Sequence, residues 1–310
     1  MNKKTWLAVG MGLLLCMTGC SNAETSEPKK EMAKTEEKVV EEKEKEKTPY
    51  DVLQDAIKKD QEWESWSTHT TNNYQRPDFE QTNGGNPVEG KNITYTNNLK
   101  TKDAFYQIME EVYEKYNYSS YQIQKATDEE SLEVMAHQGD GNGLVGDMFI
   151  RNKLSNEKYE VESAPYSLDG DYFGEPELFD ASQSQDGDNT IIKFTLKDGK
   201  KFQDYLVTKL RYDPKQKLPD GSEIDCYLYS KYEMVYTIDK DGYLQSYQLD
   251  MTDKQTEDSE SNYTIISTFY KENATEVNSK IIDEVVAQVP ETGLHGQMDV
   301  PFEYGEIIKP

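Results

Sequence analysis

The chain has 310 residues, with 59 Asp and Glu against 34 Lys and Arg and a formal net charge of -25. That balance argues against a phosphate-backbone partner, because nucleic-acid binding needs clustered Lys and Arg. It argues equally against flat electrostatic docking on anionic lipids. No nucleic-acid partner is therefore expected.

Residues 1–19 read as an export signal. Lys3 and Lys4 form a positive start, Trp6 to Met17 an apolar run of twelve, and Thr18 and Gly19 supply small residues before Cys20. Such a run fits a signal peptide and is shorter than the roughly 20 residues that span a bilayer. The stretch Met17-Thr18-Gly19-Cys20 resembles the bacterial lipobox, with Met17 in place of the usual leucine. That resemblance implies cleavage before Cys20 and a diacylglyceryl group on its thiol. Two acyl chains anchor stably where one is marginal. The expected location is the extracytoplasmic face of the cell membrane, with the membrane itself as partner through Cys20. Cys16 falls in the discarded segment, so Cys226 is the one thiol left besides Cys20, and no intrachain disulfide framework is expected.

From residue 20 to 48 the chain reads as a charged, disordered tether. Ser21 to Thr48 contains no aromatic residue and carries nine Glu and seven Lys. Too little apolar surface is present to offset the entropy of ordering it. All 22 Tyr lie beyond Thr48, within periodic segments, so a folded domain with an aromatic core is expected over 49–290 and a tail over 291–310.

Within that domain, Thr48-Pro49-Tyr50-Asp51 predicts a helix start with Val52, Leu53, Ala56 and Ile57 as its apolar stripe. Trp66 to Tyr74 predicts a Thr-rich strand, 75–90 a loop, and Lys91 to Lys100 another strand. Phe105, Ile108, Met109, Val112 and Tyr116 fall at helical spacing and predict a second helix over 101–116. Short strands follow at 121–125, 132–137, 147–153 and 159–163. Thr190 to Lys197 alternates, with Ile192, Phe194 and Leu196 on one face, and leads through Asp198-Gly199 into a helix over 200–210. One long strand is expected over 224–238, with Ile224, Cys226, Leu228, Tyr232, Met234, Tyr236 and Ile238 on one side. Asp239 to Gly242 is a hairpin turn, and the return strand 243–251 places Tyr243, Tyr247, Leu249 and Met251 together. A strand over 263–270 and a helix over 279–288 complete the series. Consecutive hairpins with few helices predict an α+β fold on a curved antiparallel sheet.

This order of elements resembles the LolA/LppX-like bacterial lipoproteins. The residues that carry the likeness are the helix after the stalk, the strand-turn-helix TIIKFTLKDGKKFQDYLVTKL, the hairpin MVYTIDKDGYLQSYQLDM and the closing strand YTIISTFYKEN. The resemblance implies a half-barrel sheet with helices packed on its concave face, and a hydrophobic space there that holds lipid or a lipidated segment. It transfers no binding motif, and only Cys20 carries over by position.

Catalytic and metal chemistry has little footing. His69, His137 and His295 are not spaced as ligands. Asp169 to Asp180 imitates a calcium loop but has Phe173 at a ligand position. Nucleophile elbow, P-loop and dinucleotide motifs are absent from the sequence. No cofactor, metal or enzymatic activity is expected. Trp63 and Trp66 suit sugar stacking, or more simply the core. The expected ligand-binding residues are Ile192, Phe194, Leu196, Leu228, Tyr232, Met234, Tyr236, Tyr247 and Leu249, holding a hydrophobic or amphiphilic ligand. The alternative is a surface interaction or sensor protein with a closed core and an acidic docking face.

Overall fold

A computed structural model describes residues 47–78, 86–138, 143–153, 171–217, 221, 223–254, 256, 259–271, 276–287 and 298–303. The signal, the lipidation motif and most of the stalk lie outside these residues, as does the strand expected at 159–163. All described residues belong to one compact unit, Glu46–Pro310.

Helix α1, Pro49–Asp60, starts where the sequence predicts. The Thr48 hydroxyl accepts from the Asp51 N–H at 3.2 Å, and the Asp51 carboxylate accepts from the Thr48 N–H at 2.9 Å. This reciprocal pair satisfies two orphan donors of the first turn. Thr48→Ala should cost about 1 kcal/mol of unfolding free energy, measured by urea titration.

The strands β1 (Ser65–Arg76), β2 (Val88–Lys100), β3 (Phe105–Tyr113), β4 (Tyr118–Ala126), β5 (Glu130–Gln138) and β6 (Gly143–Lys153) form an antiparallel meander. A second run comprises β7 (Phe179–Asp186), β8 (Asn189–Leu196), then helix α2 (Gly199–Leu210), and β9 (Lys215–Lys217) paired with β10 (Glu223–Asp225). It continues with β11 (Tyr229–Ile238), β12 (Leu244–Lys254), β13 (Glu260–Lys271), helix α3 (Glu276–Val286) and β14 (Met298–Glu303). The two runs meet where β13 pairs with β1, giving one open twelve-stranded sheet in the order β14-β6-β5-β4-β3-β2-β1-β13-β12-β11-β8-β7. The fold is α+β on a curved antiparallel sheet, as expected.

Two expectations are corrected. The helix predicted over 101–116 is strand β3 followed by a 3-10 turn at Glu114–Tyr116. Its apolar spacing is not helical because the strand serves two cores. Phe105 is buried with Trp66 and Ala126 in one, while Ile108 is buried with Ile123 and Val134 in the other. The long strand over 224–238 is broken: β10 belongs to a separate two-stranded sheet, and β11 begins only at Tyr229. Tyr227 takes a left-handed φ of 60°, which turns the chain between them. The stretch 298–303, expected to be tail, adds the edge strand β14 beside β6.

Residues paired across neighbouring strands share a face, and the register therefore assigns each helix a side. Phe269, Thr68, Thr96, Met109, Gln122 and Met135 run along one face. Phe194, Met234, Leu249 and Ile265 lie on that same face, in the core that contains α1 and α2. Ile108, Ile123, Val134 and Phe149 occupy the opposite face and pack against Ile282, Val285 and Val286 of α3. Lys125 on β4 ties α3 down through Asp283 at 2.6 Å. The buried side of the sheet thus changes over as the β7–β13 run gives way to β1–β6.

Gly199 allows the approach of α2 to β11: a Cβ there would collide with the Tyr229 carbonyl oxygen. Asp198 caps the helix, accepting from the N–H groups of Lys200 and Lys201 at 2.9 and 3.1 Å.

Candidate functional site

Strands β8, β11 and β12 bring most of the expected ligand residues together. Ile192 stands beside Tyr236, which faces Tyr247 on β12. Phe194 stands beside Met234, which faces Leu249, and Tyr232 faces Met251 one step along. Leu196 and Tyr247 are half-buried against the cluster. Leu228 is not part of it; it sits in the connection before β11, where its carbonyl accepts the Lys254 N–H at 2.8 Å.

The face is filled by side chains. Leu53, Ala56 and Ile57 of α1 lie on it, and Ile192, Phe194 and Tyr236 have no exposed surface. Aromatic rings complete the packing. Phe173 meets Phe194 at 5.0 Å between centroids, Phe179 meets Phe202 at 5.3 Å, and Phe202 meets Tyr232 at 5.8 Å. Phe173, Leu178 and Phe179 of the calcium-like stretch are thus core residues, and Asp180 pairs with Lys197 at 2.9 Å. Strand β7 lies outside the strands expected from the sequence, since all its residues but Phe179 are exposed. Trp63 and Trp66 are 3% and 2% exposed, which places them in the core and away from any sugar.

The same face changes character past β13. At the boundary the Thr70 and Ser267 hydroxyls meet at 2.5 Å. Beyond it Gln107 donates to Asn98 at 2.9 Å, Gln122 to Glu133 at 2.8 Å, and Asn92 to Glu111 at 3.4 Å. An aromatic and aliphatic area under α1 is therefore continuous with an amide and hydroxyl area on β1–β5.

The C-terminal end of α1 rests on the turn between β11 and β12. Asp60 is 1% exposed, and its carboxylate accepts the Leu244 N–H at 3.3 Å. Its second oxygen is buried with no hydrogen-bond partner. Burial pushes the Asp60 pKa up to about 7; nearby Asp239 pushes the same way, while the Leu244 N–H and Lys59 oppose it. Lys59 donates to the Asp241 carbonyl and stands 4.4 Å from the Tyr243 ring centroid. Gly242, at φ +84°, turns the chain close beneath that lysine. Trp63 packs on Tyr243 at 5.8 Å, and Lys271 approaches the same ring at 5.0 Å.

Burial likewise raises Asp253, to about 6, with Asp225 adding to the effect. It also raises the Cys226 thiol, helped by Asp253, Asp213 and Asp225, which keeps that sulfur protonated and unreactive at neutral pH. His69 is lowered by burial and stacks on Tyr95 at 4.8 Å. Among the described residues no group of His, Cys, Asp and Glu is arranged to hold a metal, and no helix is long and apolar enough to cross a membrane. Two open depressions lie elsewhere, one along Ser279, Asp283 and Ala287 of α3 and one between Tyr74, Glu89 and Tyr263.

No protein-family profile and no curated protein matches the chain. Among solved structures it is similar to Rv2717c from M. tuberculosis, with a TM-score of 0.22 and 8% identity over 71% of this chain and 98% of that one. It is also similar to a beta-barrel-like protein of the domain of unknown function DUF1849 from Brucella abortus, with a TM-score of 0.23 and 9% identity over 67% and 98%. Likenesses this distant carry no functional argument.

Proposed function

We propose that this protein is an extracytoplasmic binding module, anchored to the cell membrane by lipid on Cys20, that takes up a hydrophobic or amphiphilic ligand on the sheet face covered by α1. The reading is of a carrier or receptor and not of an enzyme. The observation that supports it is the change of character along one face: apolar and aromatic on β8, β11, β12 and β13, amide and hydroxyl on β1–β5. An amphiphile laid across the Thr70–Ser267 boundary would find a match for each of its ends. Entry requires α1 to lift, since its side chains occupy the apolar part. The LolA/LppX-like resemblance points to the same ligand class, as an acyl chain or a lipidated segment.

A second reading rests on that same occupancy. A face with Ile192, Phe194 and Tyr236 fully covered also suits a closed core, with the acidic exterior docking a protein.

Intact mass spectrometry of the full chain from its own host tests both. A diacylglyceryl mass on Cys20 is expected in the denatured spectrum, and a bound amphiphile at near-equal stoichiometry in the native one. A chain unmodified at Cys20 overturns the anchoring. A clean unliganded mass that takes up no lipid on titration overturns ligand binding and favours the docking reading.

A further inference from the structure

The seat of α1 contains a feature that a purely structural helix has no use for. Asp60 is a carboxyl group at the C-terminal end of a helix, where the backbone dipole already disfavours negative charge. It is buried, with one oxygen unpartnered. An ionised carboxylate without full hydrogen bonding is costly in such a place, and a neutral one is far less so. The charged and titratable groups around it are Lys59 on α1, Asp239 and Asp241 in the turn, Tyr243 at the start of β12, and Lys271 at the end of β13. Neither lysine forms an ion pair with Asp60; Lys59 is engaged by the Asp241 carbonyl and both lie over the Tyr243 ring. Asp239 is fixed in place, because its carboxylate accepts from the Asp241 and Tyr243 N–H groups at 2.9 and 2.8 Å. From there it disfavours ionisation of Asp60.

We propose that the contact between the end of α1 and the β11–β12 turn is a proton-operated latch, closed while Asp60 is neutral and loosened when it ionises, which governs access to the apolar face beneath the helix. The regulatory role rests on the ligand-binding reading above; the latch itself does not. Loosening frees α1 rather than the whole sheet, for two reasons. α1 is a twelve-residue helix, and among the described residues it precedes every strand. A helix that short has little stability away from its packing surface. The direction follows from the burial of Asp60: the open state, with the carboxyl in water, ionises more readily than the closed one. Rising pH therefore draws the equilibrium toward opening, up to the point at which Asp60 ionises in place as well.

Hydrogen exchange on the full chain tests the latch without any ligand. Amide opening of α1, corrected for the intrinsic pH dependence of exchange, is followed at pH 5, 6, 7 and 8, with the amides of α3 as an internal reference. The expected result is a rise in α1 opening of about tenfold per pH unit up to about pH 7 and a plateau above it, with α1 opening more readily than α3 at each pH. Asp60→Asn keeps an acceptor for the Leu244 N–H and should abolish the rise, leaving α1 closed throughout. Opening that is independent of pH in the wild type, or equally dependent in D60N, overturns the proposal. Lipid titration of the same samples separates the two ideas. A latch that opens with pH while no lipid binds leaves the latch standing and removes the ligand reading. Lipid uptake with no change in α1 opening does the reverse.

Discussion

Phe194→Ala should lower the unfolding free energy by roughly 3–5 kcal/mol, the range for removing a large aromatic side chain from a packed interior. Phe194 is wholly buried, 5.0 Å from the Phe173 ring and 6.1 Å from Tyr236. The size of the loss tests whether the face is filled, as both functional readings have it. A side chain that only lines an open space leaves little new cavity when truncated, and the cost would fall toward the transfer term alone. Urea unfolding of the wild type and the variant measures the difference, with Ile266→Ala as a control. Ile266 is 41% exposed on the opposite side of β13, and its truncation should stay within about 0.5 kcal/mol. A loss of less than about 2 kcal/mol at Phe194 would argue that the face is lined rather than filled.

The second large effect is on the pH dependence of stability. The Asp60 carboxyl has a higher pKa folded, about 7, than its ordinary value of 3.8. Between these values the native state binds more protons than the unfolded one, so stability falls as pH rises. The slope is about 1.4 kcal/mol per pH unit, and the accumulated loss by pH 7 is as much as about 4 kcal/mol. Asp253, raised to about 6, adds a slope of the same sign that ends about one unit lower. The protein should thus be more stable at pH 5 than at pH 7. Asp60→Asn should gain roughly 2–4 kcal/mol at pH 7 and little at pH 4. Urea midpoints at pH 4, 5, 6 and 7 read this directly, and parallel curves for the two proteins would contradict it.

Much of the architecture is legible in the sequence because most strands bury one side only. Ile192, Phe194 and Leu196 alternate cleanly because α1 covers one side of β8 and the other side stays partly exposed. The same holds for Tyr232, Met234, Tyr236 and Ile238 on β11. β3 is different. It lies on the β1–β6 run, where burial passes to the side covered by α3, and its first residue still belongs to the other core. Phe105 and Ile108 are consequently buried on opposite sides, and a period of two turns into a spacing of three that imitates a helix. The break at Tyr227 is hidden for another reason, since a left-handed tyrosine leaves no trace in hydrophobic periodicity. At the candidate site, the apolar residues were recoverable from alternation. The seat of α1 was not. Asp60 reads as one more charge at the end of an amphipathic helix, and only the approach of the β11–β12 turn, nearly two hundred residues downstream, buries it.

The pairing of β1 with β13 has a consequence for how the chain comes into being. Thr70 and Ser267, in contact across that seam, are 197 residues apart, whereas most other neighbouring long strands are joined by short hairpins. Synthesis therefore delivers β1 well before β13. The β1–β6 meander can zip up hairpin by hairpin as it emerges, but the outer side of β1 has no strand to pair with until residue 271 is free. Pairings so distant in sequence form slowly, and an open strand edge invites association with other chains in the meantime. The nascent protein therefore passes through a half-built stage with a sticky margin of Thr and Asn. That interval is when a chaperone would matter most, and when a truncation ahead of β13 would do the greatest harm.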